Sequence, residues 1–186
     1  MLILASGSPR RKQLLDSIGI SFRILVAQVD EVNDISDPRE LVETNAQLKA
    51  IWAARKNPDS WVLGSDTTVA LGDEILNKPT DLSDARNMLK RMSGHTHCVY
   101  TAVYICHHAS GIHELFTVIS KVTFKAFDDD LITDYFKIVN PLDKAGGYGI
   151  QEGKELIIDR WEGSYSNIMG LPVNEVRHAL EKHSIL

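Results

Sequence analysis

Two runs rich in strand-forming residues, His97–Cys106 and Ile112–Phe127, are separated only by His107-His108-Ala109-Ser110-Gly111. So short a connection makes them antiparallel neighbours in a hairpin. Elsewhere the chain alternates short strand-like and helix-like segments, the order that builds a sheet covered by helices. An α/β fold with a mixed sheet and flanking helices houses both patterns, and this is the expected fold class.

Local signals place the segments. Leu2–Ala5 reads as a short buried strand and Ser6-Gly7-Ser8 as a small-residue loop. Pro9 fits a first helical position with Ser8 as N-cap, and the helix runs to about Ile18 before Gly19 stops it. Phe22–Ala27 predicts a second strand. Asp37-Pro38-Arg39-Glu40 combines a cap, a proline and an acid three residues on, opening a helix that reaches about Lys56. Trp61–Leu71 reads as a strand, Gly72-Asp73 as a turn into Glu74–Leu76, and Ser83–Met92 as a helix. Past the hairpin, Asp128-Asp129-Asp130 starts a helix ending near Val139, and Asp143–Gly153 is glycine-rich and irregular. Leu156–Trp161 reads as a strand, Gly163–Gly170 as a loop, and Pro172 opens a C-terminal helix. With no repeat or long linker in 186 residues, one domain over 1–186 is expected.

Composition excludes several classes. At 44% apolar and 24% charged residues the chain can bury a core. No apolar run approaches the ~20 residues of a membrane-spanning helix. No basic segment precedes Leu2–Ala5 as in a signal peptide, so a cytoplasmic protein without a membrane partner is expected. A net charge of −5 argues against a general nucleic-acid binder. It still allows a small anion held by a few local Arg and Lys residues. Cys98 and Cys106 fall in one strand, roughly 26 Å apart at ~3.3 Å per residue, too far for a disulfide. The histidines form no evident metal site, since His107 and His108 fall in a turn while His95 and His97 lie on a strand.

Four constellations can carry chemistry. In Ser6-Gly7-Ser8-Pro9-Arg10-Arg11 a strand feeds a small-residue loop and then a helix start, where free N–H groups and the helix dipole suit an anion. Arginines in a first turn oppose the dipole unless an anion visits; the plainer alternative is a capped surface helix with solvated arginines. Asp66, in Gly64-Ser65-Asp66-Thr67-Thr68, is an acid in mid-strand, costly to bury unpaired. Glu31 is a second carboxylate, in a segment where an ordinary loop acid is the simpler account. Lys49, Lys78 and Lys144 are candidate cations, each also readable as a solvated charge; the extended residue before Pro79 fixes the backbone of Lys78. In Asp143-Lys144-Ala145-Gly146-Gly147-Tyr148-Gly149-Ile150-Gln151, glycines permit close approach, Tyr148 offers a ring to stack on a base, and Gln151 offers one donor and one acceptor.

Taken in order, these pieces resemble the Maf family of nucleoside triphosphate pyrophosphatases. The matching segments are Leu4–Arg11, Asp30-Glu31, Lys49-Ala50, Gly64–Thr67, Lys78-Pro79, Ser93-Gly94, Asp143–Gln151, Gly163–Asn167 and Gly170–Pro172. The resemblance implies an elongated, two-lobed fold with a central cleft, shared with inosine triphosphate pyrophosphatases. It implies hydrolysis of a nucleoside triphosphate to the monophosphate and pyrophosphate with a divalent cation, Mg or Mn. Asp66 matches the proton-accepting aspartate, and Arg10, Thr67 and Gln151 match positions tied to substrate choice. Ser6, Ser8, Arg10, Arg11, Lys49 and Lys78 become the expected phosphate-binding set, and Glu31 with Asp66 the expected metal ligands. An aspartate of ordinary acidity is a weak base, and a metal that activates the water eases that demand.

Arg10, Thr67 and Gln151 together resemble the dTTP/UTP subgroup. The sister subgroup, acting on 7-methyl-GTP, typically has Trp, Gln and no Gly-Ile-Gln at these places. Two residues depart from the pattern: Thr68 stands where an apolar residue is expected, and Asn77 where glycine is expected before Lys78. The alternatives are the 7-methyl-GTP activity and a non-catalytic, nucleotide-binding regulator of cell division; retention of both carboxylates favours the enzyme. The expected partner is a nucleoside triphosphate, and a homodimer is compatible with the sequence.

Overall fold

The computed structural model describes residues 1–186. Its strands are β1 (Leu2–Leu4), β2 (Phe22–Ile24), β3 (Trp61–Leu71), β4 (Glu74–Leu76), β5 (Thr96–His107), β6 (Ile112–Phe124) and β7 (Ile158–Glu162). Its helices are α1 (Pro9–Asp16), α2 (Pro38–Lys56), α3 (Leu82–Met92), α4 (Asp129–Ile138), α5 (Lys154–Ile157), α6 (Tyr165–Met169) and α7 (Val173–Lys182). One mixed sheet runs in the order β2-β1-β3-β5-β6-β7, with β4 also on β3. β1 is parallel to β2 and β3, and every other pairing is antiparallel.

The helix starts follow their caps. Ser8 Oγ accepts from Arg11 N ahead of Pro9, and Asp37 accepts from Glu40 N ahead of Pro38. The third helix begins one residue earlier than expected, because the cap is Asp81, which accepts from Asp84 N. α1 closes at Asp16, short of Ile18, and a tight turn to Gly19 follows. β2 stops at Ile24 and does not reach Ala27, because β1 offers only three partner residues and the Leu25 N–H makes the last bond, to the Leu4 carbonyl.

β5 and β6 form the expected hairpin, with Gly111 in the left-handed region at φ 70°. β6 ends at Phe124 and not Phe127. The register shifts at Thr123/Phe124, and Phe127 is then held by Ser93 Oγ, which accepts from its N–H and donates to its carbonyl. One helical turn, α5, precedes β7, so the strand starts two residues later than expected. The stretch expected as loop, Gly163–Gly170, contains α6, capped by Ser164 and closed by Gly170 at φ 114°.

The apolar residues form three clusters. Leu15, Leu63, Ile105 and Val176 fill the space between α1, α7 and one half of the sheet. Val42, Ala46, Ala50 and Ala53 of α2 cover the other face of that half. Leu89, Phe124, Ile132 and Tyr135 build a separate core under α3 and α4. The first two clusters make one lobe and the third makes the other. β3 and β5 run through both.

Candidate active site

β5 pairs with one edge of β3 from Trp61 to Ala70. Two strands share the other edge: β1 reaches only Leu63, and β4 begins only at Val69. Residues 64–68 have no strand partner on that edge, and this break opens into a cleft of about 1200 Å³. Strand alternation sends Asp66 and Thr67 to opposite faces, where each meets different helices.

Asp66 faces α2. Lys49 Nζ donates to Asp66 Oδ1 at 2.7 Å and lies 3.0 Å from Glu31 Oε1, while Asn45 Nδ2 donates to Asp66 Oδ2 at 3.4 Å. Asn45 and Lys49, four positions apart, share one helix face. Lys49 and Asp66 are each only 8% exposed, so each charge depends on the other. α2 sits this close because residue 64 is glycine. A Cβ there would collide with the Ala46 carbonyl oxygen and stand 2.8 Å from the Ala50 methyl. Burial acts to raise the pKa of Glu31, but the charge and hydrogen bond of Lys49, helped by Lys78 and Arg11, hold it below the usual carboxylate range.

Thr67 faces α1 and α6. Its Oγ1 accepts from Arg11 Nη2 at 2.9 Å and lies 3.0 Å from Thr101 Oγ1. Arg11 Nε donates to the Gly170 carbonyl at 2.8 Å, and Nη1 reaches Ser6 Oγ at 3.4 Å. Burial lowers the pKa of Arg11, against the opposing pull of Asp66 and Glu31. Ser6 Oγ also accepts from Ser8 N at 3.2 Å, so both serines shape the loop that presents its backbone to the cleft. Arg10 bridges the cleft from α1 to the glycine-rich segment, with Nη1 at 3.1 Å from Asp143 Oδ2 and Nη2 at 3.3 Å from the Asp143 carbonyl. Burial acts to raise the pKa of Asp143, and the bonds from Lys144 and Arg10 overcome it and lower it.

Lys78 is exposed on the cleft lip. Its neighbour Asn77 accepts from Thr68 Oγ1 at 2.9 Å, so the two departures from the family pattern are bonded to each other. The Asn77 carbonyl also accepts from Gly146 N at 3.2 Å, which ties this lip to the glycine-rich segment. Lys144 is turned inward and neutralised: Nζ bonds Asp143 Oδ1 at 2.7 Å and the Asn140 carbonyl at 2.9 Å.

Tyr148 does not present its ring to a base. It is 5% exposed, its hydroxyl lies 2.7 Å from His97 Nε2, and its ring packs edge-on against Phe124 at 4.8 Å. It supports the cleft wall from behind. Gln151 is exposed in the cleft, with Nε2 3.5 Å from Gln13 Oε1.

All the sequence-predicted residues, Ser6, Ser8, Arg10, Arg11, Glu31, Lys49, Asp66, Thr67, Lys78 and Gln151, line this one cleft. Sequence reasoning missed Asn45, Gln13 and the partnership of Asp143 with Arg10. Asn45 left a trace: it stands one turn before Lys49, an amide among the apolar positions Leu41, Val42 and Ala46.

A family model described as Maf-like protein matches residues 1–183. The chain is 42% identical over 184 residues to a dTTP/UTP pyrophosphatase of Myxococcus xanthus, covering 98% of this chain and 92% of that one. It is 43% identical to a protein of the same name from Akkermansia muciniphila, covering 96% and 94%. For the namesake from Bacillus velezensis the figures are 40% identity, 99% and 97%. Among solved structures, the Ham1 protein of Staphylococcus aureus has a similar fold, with a TM-score of 0.58 over 98% of both chains at 12% identity.

Proposed function

The chain belongs to the Maf family, and on that premise we propose that it hydrolyses dTTP and UTP to the nucleoside monophosphate and pyrophosphate. The observation that carries this reading is the division of charge across the break in β3. Glu31 and Asp66 flank Lys49 on one face; Arg11, with Arg10 beside it at the start of α1, lies on the other. A polyphosphate needs the second group, and attack by water on phosphorus needs the first.

In this reading the β- and γ-phosphates lie toward the Ser6–Ser8 backbone and the start of α1, where N–H groups and the helix dipole favour an anion. Arg10 exchanges Asp143 for phosphate oxygen, and Lys78 approaches from the opposite lip. Water attacks the α-phosphorus and its proton passes to Asp66, whose two oxygens are oriented by Lys49 and Asn45. The bond from the α-phosphorus to the bridging oxygen breaks, and that oxygen departs with pyrophosphate. Its growing negative charge is met by Arg11 and Lys78.

Glu31 and Asp66 would hold a divalent cation, Mg or Mn. Their oxygens already converge on one cationic centre, Lys49 Nζ, at 3.0 and 2.7 Å. No group of three metal-binding side chains occurs, so the rest of the shell would fall to phosphate oxygens and water, as magnesium prefers. Such an ion would neutralise phosphate charge and make the attacking water more acidic.

Gln151 offers a carbonyl and an amide that complement N3–H and a carbonyl of uracil or thymine. Cytosine reverses part of that pattern, and a purine presents Gln151 with a different edge on a larger ring. Thr67 influences substrate choice through Arg11, which it holds, and Arg10 through its exchange with Asp143. No helix is long and apolar enough to cross a membrane, and a nucleotide substrate goes with a cytoplasmic setting. A homodimer is the first assembly to test for by sedimentation.

A pyrophosphate-release screen over dTTP, UTP, CTP, GTP and 7-methyl-GTP, with and without Mg or Mn, tests the reading. dTTP and UTP should give the highest kcat/KM. Equal values for UTP, CTP and GTP would overturn it, and a preference for 7-methyl-GTP would move the chain to the sister subgroup.

A further inference from the structure

The segment between β2 and α2 carries Glu31 but has no regular secondary structure. After the Leu25 N–H bonds the Leu4 carbonyl, the backbone as far as Ser36 makes hydrogen bonds to one side chain only. That side chain is Asn45, which is 3% exposed. Its Oδ1 accepts from Val32 N at 2.8 Å, and its Nδ2 donates to the Val32 carbonyl at 2.9 Å. The remaining Nδ2 hydrogen is directed to Asp66 Oδ2 at 3.4 Å. Chemistry forces this orientation. A flipped amide would set its oxygen against the Val32 carbonyl and the Asp66 carboxylate, and its NH2 against the Val32 N–H.

An amide is not what this position needs for packing. Leu41, Val42 and Ala46 are its buried helix neighbours, and a leucine, with the same branching and a larger apolar volume, would avoid desolvating a polar group. Every side-chain bond of Asn45 goes to the segment bearing Glu31 or to Asp66. We propose that Asn45 is a positioning residue for the hydrolysis: it ties the residue next to Glu31 to Asp66, and so sets the separation and aim of the two carboxylates. The proposal rests on the pyrophosphatase reading given above.

Asn45→Leu and Asn45→Asp test it, each measured for thermal unfolding, amide exchange at Val32, and kcat and KM for UTP. Asn45→Leu leaves the Val32 N–H and carbonyl and Asp66 Oδ2 without this partner. Measured well below its Tm, it should speed Val32 exchange about tenfold or more and lower kcat about 10- to 100-fold with a smaller change in KM. Asn45→Asp keeps the acceptor for the Val32 N–H but loses both donor bonds, to the Val32 carbonyl and to Asp66, and sets a second carboxylate beside Asp66. It should therefore protect the Val32 N–H better than Asn45→Leu does, while kcat still falls. Unchanged exchange or unchanged kcat in Asn45→Leu overturns the proposal. So does a loss of activity in both variants no larger than the fraction unfolded, the mark of a purely structural role. If the unmutated protein releases no pyrophosphate from any nucleotide, the functional reading fails, and Val32 exchange alone then decides whether Asn45 holds the segment.

Discussion

A carboxylate bonded through both oxygens is held in one orientation, and Asp66 is held so by Lys49 and Asn45. Asp66→Asn keeps the shape and an acceptor for Lys49 but removes the basic oxygen. It should lower kcat about 10²-fold or more, with the far-ultraviolet spectrum unchanged; near-normal turnover in the folded variant rules Asp66 out as the proton acceptor. This residue was legible because an acid in mid-strand demands a partner. Tyr148 was not. A tyrosine among glycines looks exposed, and what buries it is His97 from a distant strand. His97 itself has its pKa lowered by burial from 6.5 to about 3. Between those values the unfolded chain binds a proton that the folded chain refuses. The contribution of the neutral ring is complete above pH 6.5 and is lost as pH falls toward 3, at about 1.4 kcal/mol per pH unit. His97→Phe should flatten that part of a stability–pH curve measured by urea unfolding, and an unchanged slope would count against a buried neutral ring.

At the level of elements, the decisive contact is α2 on β3. The N-cap of α2 could be read from the sequence, and its small residues Ala46, Ala50 and Ala53 mark a face built for close approach. What could not be read is that Gly64 receives it, since a glycine in a strand pattern fits a bulge equally well. Gly64→Ala must push α2 outward. Destabilisation of about 2 kcal/mol or more is expected, with a loss of activity larger than the fraction unfolded, because Asn45 and Lys49 move with the helix. Urea titration alongside kcat measures both, and wild-type values for both would mean that α2 packs less closely. α6 was misread for the opposite reason. Five residues are too few to show a helical period, although its Ser164 cap and Gly170 stop were in plain view.

For the whole molecule, the hairpin and the alternating segments were enough to expect a mixed sheet with flanking helices, and the structure has one. The cleft was not legible from periodicity, because it depends on β1 and β4 both being too short to cover one edge of β3. Its field is local: the chain carries a net charge of −5, yet Arg10, Arg11 and Lys78 all line this one cavity. Arg10→Ala and Lys78→Ala should each lower kcat/KM for UTP at low salt, and the difference from the unmutated protein should shrink as salt rises toward 1 M, where the screening length is only about 3 Å. Equal kcat/KM in both variants at low salt would put the polyphosphate elsewhere.

The broken edge of β3 also bears on how the chain reaches this state. Val103 finds Phe116 across a short connection, whereas Leu2 must find Trp61 across much of the first lobe. Closing a large loop costs entropy before any contact repays it, so nearby pairings form first. β5 and β6 should therefore gain protection early in a pulse-labelled refolding experiment, with β3 joining them and β1 docking last. The anion-facing loop follows directly on β1. The newly made protein would then be compact before it could hold a nucleotide, and a triphosphate present during refolding should speed none of the early steps while trapping the final one.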